Sequence, residues 1–184
     1  MVFARWRNRR ANREVIERIH GQVVDAARRP ALYQRLGVPD TLDGRFEMTT
    51  LHAGLTLRRL LALGPLGAEI AQELADRTFR AFDDALREMS ISDVGVARRM
   101  RNFASAFYGR LNAYDEALKS QEADALAKAL ARNVFAEAEL ERSPKAPALA
   151  TYVRSVAAAL DRAPLEAFRG GAFVFPPAPT EEPS

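Results

Sequence analysis

The stretch AEIAQELADRTFRAFDDALREM, residues 68–89, decides the fold class of this chain. One stripe of side chains recurs there every three or four residues, and neither glycine nor proline interrupts it: Ile70, Leu74, Thr78, Phe82, Leu86 and Met89. That spacing places the side chains on one face of an α-helix. We therefore predict a long core helix that ends near Met89.

A second stripe begins downstream, after the segment SISDVGV at residues 90–96. It consists of Val96, Met100, Phe103, Phe107, Leu111 and Tyr114. Ser92 or Asp93 is suited to cap this helix, because a short polar side chain accepts a hydrogen bond from a free backbone N–H. The two stripes predict two long helices that pack antiparallel.

Shorter periodic stretches predict further helices at residues 13–29, 46–63, 121–138 and 149–160. Asp43 is expected to cap the helix at 46–63, and the pair Gly64-Pro65 is expected to end it. After these stretches the composition changes, because four of the ten prolines lie in the final segment PPAPTEEPS. This segment predicts an irregular, disordered tail that follows the apolar patch Phe173 to Phe175.

The expected architecture is an all-α, single-domain helical bundle with two long core helices, short flanking helices and a proline-rich C-terminal tail. We assign residues 1–12 to a basic N-terminal arm, 13–168 to the helical domain and 169–184 to the irregular tail. A length of 184 residues, 48% of them apolar and 28% charged, suits one globular domain. The chain has no cysteine, which excludes disulfides, thiolate metal sites and thiol nucleophiles. Its longest apolar runs are far shorter than the ~20 residues that cross a bilayer.

The N-terminal arm interleaves aromatic residues with arginines and contains no acid: Phe3, Arg5, Trp6, Arg7, Arg9 and Arg10. Such a run suits an anionic membrane surface or a nucleic-acid backbone, and it is also compatible with a solvated helix start or a fragment of a transit peptide. We favour the membrane surface over nucleic acid, because Trp and Phe suit the lipid interface and no other basic stripe follows.

Motifs for catalysis or metal binding are incomplete. Glu17-x-x-His20 resembles half of a di-iron site, but Thr49 precedes the other histidine, His52, where a glutamate is needed. The turn that contains Asp43 and Gly44 lacks the ligand spacing of a calcium loop, and the chain has no phosphate loop or nucleophile elbow. We therefore expect no cofactor, no metal site and no catalytic residue, and a protein that acts by binding.

Two stretches of the sequence are more specific indicators of a protein family than these incomplete motifs. VPDTLDGRFEMTTLHAGLTLRRL (38–60) and DRTFRAFDDALREMSISDVGVARRMRNFASAFYGRLNAY (76–114) together resemble the ubiquinol-cytochrome c chaperone family, the assembly factors of respiratory complex III. The resemblance extends from about Tyr33 to Leu118. It implies an all-helical fold and a protein that receives newly made cytochrome b and protects it until assembly.

The resemblance also implies partners and a location. Mitochondrial relatives act with a small partner subunit near the ribosome exit and the inner membrane, which implies peripheral contact with one of these here and no specific nucleic acid. The Ala- and Arg-rich composition favours a bacterial cytoplasm, at the inner face of the plasma membrane, over the mitochondrial matrix side. The alternative function is a membrane-surface or nucleic-acid-binding helical module without a cytochrome b client.

We predict that the client contacts the turn region at 38–52 and the facing helix at 92–114, where the most family-like residues cluster. The predicted client-binding residues are Asp40, Asp43, Arg45, Phe46, Glu47, His52, Asp93 and Arg110.

Overall fold

A computed structural model describes residues 2–88 and 93–178. The elements in chain order are α1 (Val2–Ala27), α2 (Pro30–Gln34), α3 (Leu42–Leu61), α4 (Gly64–Glu88), α5 (Asp93–Lys119), α6 (Ala125–Val134), a 3-10 turn (Leu140–Arg142), α7 (Ala146–Arg162) and α8 (Leu165–Gly170). No strand occurs among the described residues. The all-α class predicted from the sequence is confirmed.

Helix α3 lies at the centre of the bundle, in contact with α1, α4, α5 and α7. Fourteen of its twenty residues are buried, including every residue from Phe46 to Leu57. The buried hydroxyls of Thr49 and Thr56 donate to backbone oxygens one turn earlier, at 2.9 and 2.8 Å, which satisfies them inside the core. A helix that is buried on all sides serves as the support on which the other helices pack.

The start of α3 corrects the sequence prediction. The helix begins at Leu42 rather than Phe46, and its N-cap is Thr41, whose Oγ1 accepts a hydrogen bond from the Gly44 amide at 3.1 Å. Asp43 instead lies in the first turn, where its negative charge interacts favourably with the positive end of the helix dipole and stabilises the helix. Gly44 is required there, because a Cβ at this position would lie 1.9 Å from the Pro39 carbonyl oxygen.

Helices α4 and α5 form the predicted antiparallel pair. The ring of Phe79 contacts Phe107, and the ring of Phe82 contacts Phe103. Residue numbers therefore increase along α4 in the direction in which they decrease along α5. Helix α4 begins at Gly64, four residues earlier than expected, because proline is tolerated in the first turn of a helix. The predicted end at Met89 and the predicted cap at Ser92 fall outside the described residues.

The bounds of α1, α6 and α7 also differ from the predicted ones. Helix α1 includes residues 2–12, which precede the predicted start at residue 13, and α7 extends beyond the predicted 149–160 at both ends. Helix α6 is shorter than the predicted 121–138, and Ala136 beyond its end has a left-handed φ of 56°. Within the described residues, no helix is both long and apolar enough to cross a membrane.

Residues 173–178 comprise the apolar patch and the first three residues of the predicted tail, the rest of which lies outside the described residues. This segment has no regular structure, but Phe173, Phe175 and Ala178 are buried in the core. Its carbonyl groups accept hydrogen bonds from α1 and from the link between α1 and α2: Gln22 of α1 donates to Phe173 at 3.3 Å, and Arg29 in the link donates to Phe175 at 3.0 Å. The folded part of the chain therefore continues at least to Ala178.

Candidate functional site

An open groove of about 480 Å³ lies between the first half of α3, the middle of α5 and the segment that follows α6. We call it the α3–α5 groove. Four of the predicted client-binding residues line it, namely Asp43, Phe46, Glu47 and Arg110. The structure thus brings together residues that lie more than 60 positions apart in the sequence, on the two elements that were predicted to form one surface.

Aromatic rings form one wall of the α3–α5 groove. Phe46 stacks on Phe103 with ring centroids 4.1 Å apart, and Phe82 lies 4.8 Å from Phe46 and 5.8 Å from Phe103, so the three rings contact one another. Phe46 is buried, whereas Phe103 is half-buried and faces the groove. Half-buried Phe135 adds a further ring to the lining. This wall offers apolar surface to a ligand without exposing a continuous patch.

An ion pair lies at the base of the groove. The carboxylate of Glu47 accepts hydrogen bonds from the guanidinium of Arg110, so the pair connects α3 to α5. Burial raises the pKa of Glu47, an effect that Arg110 opposes and neighbouring Asp43 reinforces. Tyr114 lies buried nearby, and its pKa is raised by burial and by the negative charge of Glu47. The base of the groove is therefore charged, but little of that charge is in contact with water.

Asp40 and Arg45 do not belong to this groove. They form an exposed ion pair of 2.7 Å with each other, with more than half of each side chain accessible. The hydrogen bond from Arg45 lowers the pKa of Asp40. Both residues line a separate cavity of about 390 Å³ beside Tyr33 and Arg28. A partner that contacts this pair would approach a different part of the surface.

His52 is not a surface residue, which corrects its assignment as a client contact. Its side chain has no solvent exposure, and its ring nitrogens lie 2.8 Å from the Met48 carbonyl oxygen and 2.8 Å from the Tyr152 hydroxyl. A carbonyl oxygen can only accept, so Nδ1 carries the proton and Nε2 accepts from Tyr152. Burial lowers the pKa of His52 to about 4, which keeps the ring neutral. His52 thus links α3 to α7 inside the core.

Asp93 is the first residue of α5. The predicted arm residues Phe3, Arg5, Trp6, Arg7, Arg9 and Arg10 lie in the first three turns of α1.

The sequence reading missed the third side of the groove. Arg132, Asn133, Phe135 and Ala136 line it, although the chain beyond Arg132 carried no recognised motif. Arg132 and Asn133 lie in the last turn of α6, and Phe135 and Ala136 follow it. Ala136 has a left-handed φ of 56°, and Glu137 donates its amide to the Ala131 carbonyl at 2.9 Å. A glycine would have marked such a turn, but alanine gives no signal of it.

Of the two residues considered for a di-iron half-site, Glu17 forms an ion pair, whereas the buried Nε2 of His20 has no hydrogen-bond partner among the described residues. The carboxylate of Glu17 accepts from Arg77 at 2.8 Å, and His20 is buried with a pKa lowered to about 4, mainly by desolvation. Asp83 pairs with Arg87 at 2.6 Å along α4. Across the described residues, no group of three or more metal-ligating side chains converges.

These features define a helical protein whose candidate site is an open groove with an aromatic wall and a paired charge at its base, as in proteins that bind a polypeptide segment. Residues 34–175 match the family described as Ubiquinol-cytochrome C chaperone. The chain belongs to this family.

Similar proteins agree with that assignment. The chain is 28% identical over 129 residues to "Ubiquinol-cytochrome-c reductase complex assembly factor 1" of Xenopus laevis, covering 70% of this chain and 64% of that protein. It is 28% identical over 148 residues to "Protein CBP3, mitochondrial" of Saccharomyces cerevisiae, covering 79% of this chain and 44% of that protein. The match thus spans less than two thirds of the length of each.

A solved structure confirms the fold. The crystal structure of the Cbp3 homolog from Brucella abortus has a TM-score of 0.85 to this chain and is 38% identical in sequence. The comparison covers 97% of this chain and 98% of that chain. The helical bundle therefore extends over nearly the whole length of both.

Proposed function

We propose that this chain is an assembly chaperone that binds newly synthesised cytochrome b and supports its assembly into ubiquinol-cytochrome c reductase, complex III. Membership of the ubiquinol-cytochrome c chaperone family supports this role, as does the printed name of the Xenopus relative, a complex assembly factor. The protein acts by binding and not by catalysis. A small partner subunit and peripheral contact with the membrane or the ribosome belong to the same proposal, at the inner face of a bacterial plasma membrane or on the mitochondrial matrix side.

The α3–α5 groove is the proposed client site, and one observation carries this assignment. Asp43, Phe46, Glu47 and Arg110 are all predicted from the two family-like blocks, and all four line one groove. That groove is an open space of about 480 Å³, and the half-buried rings of Phe103 and Phe135 line it beside them. The groove can accommodate part of a client segment while the bundle stays folded.

The chemistry of the groove suits an unassembled membrane protein. Apolar side chains of the client gain free energy by leaving water for the aromatic wall, at about 25 cal/mol per Å² buried. The Glu47–Arg110 pair offers charged hydrogen-bonding groups to client backbone that has not yet found its own partners. An open groove with modest apolar area also permits release, because the contact stays far below the size of a permanent interface.

Photocrosslinking in respiring cells tests the proposal. A photoreactive phenylalanine analogue replaces Asn102, an exposed residue of the groove lining, and in a matched control it replaces Ala158, an exposed residue of α7 outside the lining. We expect a cytochrome b adduct from position 102 and none from position 158. If both positions label cytochrome b equally, or neither does while the protein is folded, the groove is not the client site.

A further inference from the structure

The segment at residues 171–178, which we call the C-terminal strap, lies along the second half of α1. Gln22 of α1 donates to the Gly171 carbonyl at 3.2 Å, and Arg29, just after α1, donates to the Phe175 carbonyl at 3.0 Å. Residue numbers therefore increase in the same direction along α1 and along the strap. Residues 173–178 of the strap belong to no helix or strand.

The side chains of the C-terminal strap alternate between core and solvent. Phe173 and Phe175 are buried, whereas Val174 between them is 73% exposed. Phe173 stacks on Phe168 of α8 with ring centroids 4.7 Å apart, and Phe175 meets His52 of α3 edge to face at 5.4 Å. We call the surface that α1, α3 and α8 offer to these rings the strap groove. A period of two is that of an extended peptide, so the strap lies in its groove in the manner of a bound peptide.

The carbonyl groups of the strap provide a second kind of contact. The side chains of Gln22 and Arg29 each donate hydrogen bonds to two of them. The four accepting residues are Gly171, Phe173, Phe175 and Pro176. Every peptide has carbonyl groups, so these bonds do not depend on the sequence of the strap, whereas the two ring positions do. The strap groove therefore suits an extended segment with large apolar side chains two positions apart.

The strap groove faces a different side of α3 from the α3–α5 groove. Glu47 lies at the base of the α3–α5 groove, and His52 lies under the strap. Five residues of an α-helix correspond to a rotation of about 140° around its axis. Helix α3 thus supports two separate surfaces.

We propose that the C-terminal strap is an internal ligand of a peptide-binding groove, and that an extended apolar client segment with large side chains at alternate positions displaces it. This inference rests on the proposed function, because an unassembled membrane protein is a client that offers such segments. Without a client, the strap covers the two ring positions, which would otherwise form an exposed apolar patch. Because it is tethered, the strap competes with the client at a high effective concentration, which favours release.

A synthetic peptide with the strap sequence AFVFPPA, residues 172–178, tests the groove. Phe175→Ala in the full chain loosens the strap, so the labelled peptide should bind this variant at least roughly ten-fold more tightly than the wild type and should raise its unfolding temperature. Val174→Ala is the matched control, because Val174 faces solvent and its replacement leaves the strap in place. Its affinity for the peptide should equal that of the wild type. A peptide with serine in place of both phenylalanines should bind none of the three proteins.

Displacement can be measured on a chain whose buried strap residues are intact. The sequence contains no cysteine, so Val174→Cys provides a single site for a fluorophore. Excess peptide should release the strap and lower the fluorescence anisotropy of the label, whereas the serine peptide should leave it unchanged. This measurement decides the question even if Phe175→Ala does not fold.

Two results would overturn the proposal. One is equal peptide affinity of folded Phe175→Ala and Val174→Ala, and the other is an unchanged anisotropy of the label in excess peptide. Both measurements use purified protein and synthetic peptides, so their failure leaves the cytochrome b crosslink at position 102 unaffected. Absence of that crosslink would in turn contradict the proposed client site without changing either peptide measurement.

Discussion

Glu47 on α3 and Arg110 on α5 form a buried ion pair at the base of the α3–α5 groove, with 7% of the Glu47 side chain and 23% of the Arg110 side chain exposed. The pair connects the central helix to the wall of the candidate client site. Because each charge has been removed from water, the presence of one makes the other tolerable. The groove thus depends on this pair for its shape.

The first prediction follows from that dependence. Arg110→Met should lower the free energy of unfolding by about 3–5 kcal/mol at neutral pH, because it leaves Glu47 buried without its partner. The double variant Glu47→Gln, Arg110→Met should recover much of that loss. Urea unfolding of the two single variants and the double variant measures the coupling. Additive effects in this cycle would show that the two side chains do not interact.

His52 gives the protein a pH-dependent stability. Its pKa is lowered to about 4 in the folded state, whereas an unfolded chain has a histidine pKa near 6.5. The unfolded state therefore binds a proton first as the pH falls, so stability that is present above pH 6.5 is lost between about 6.5 and 4. The loss reaches roughly 3 kcal/mol at the low end.

Unfolding of His52→Gln across this pH range measures that contribution. The variant should be less stable than the wild type at pH 7, where it lacks the bonds to Met48 and Tyr152, and the difference should shrink toward pH 4. His20→Gln is the comparison, because His20 is also buried with a pKa lowered to about 4. A constant difference between His52→Gln and the wild type over this range would contradict the assignment.

The helical stripes of α4 and α5 could be predicted because each helix buries one face and exposes the other. The central position of α3 could not, since a helix buried on all sides has no contrasting face to detect. Its buried Thr50 and His52 are polar residue types that commonly indicate surface. Only the long-range contact with Tyr152, 100 residues away, places His52 inside.

The α3–α5 groove, like the fold, could be predicted only in part from the sequence. Phe46, Glu47 and Arg110 came from the two family-like blocks, and the structure places them together. The side formed by residues 132–136, the last turn of α6 and the two residues after it, was missed because this stretch carries no recognised motif and no glycine marks the left-handed turn at Ala136. His52 was misplaced because proximity in sequence to the turn at 38–48 does not reveal that α3 is buried on every side from Phe46 to Leu57.

The C-terminal segment should stabilise the fold through its buried rings. Phe175→Ala should lower the free energy of unfolding by about 3–5 kcal/mol, because it leaves a cavity where the ring contacts Phe173 and His52. The adjacent Val174→Ala is the control, since Val174 is 73% exposed and its replacement should change stability by less than about 0.5 kcal/mol. Thermal or urea unfolding compares the two, and equal stability of both variants would mean that the segment does not pack as described.

The last prediction separates the groove from the exposed pair beside it. Phe135→Ser removes an apolar ring from the groove lining, so it should reduce cytochrome b crosslinking from position 102 several-fold. Arg45→Gln breaks the exposed pair with Asp40, which should change stability by less than about 1 kcal/mol. If the client binds in the groove alone, Arg45→Gln leaves the crosslink intact. Loss of the crosslink in Arg45→Gln, with Phe135→Ser unaffected, would move the client site to the cavity that Asp40 and Arg45 line.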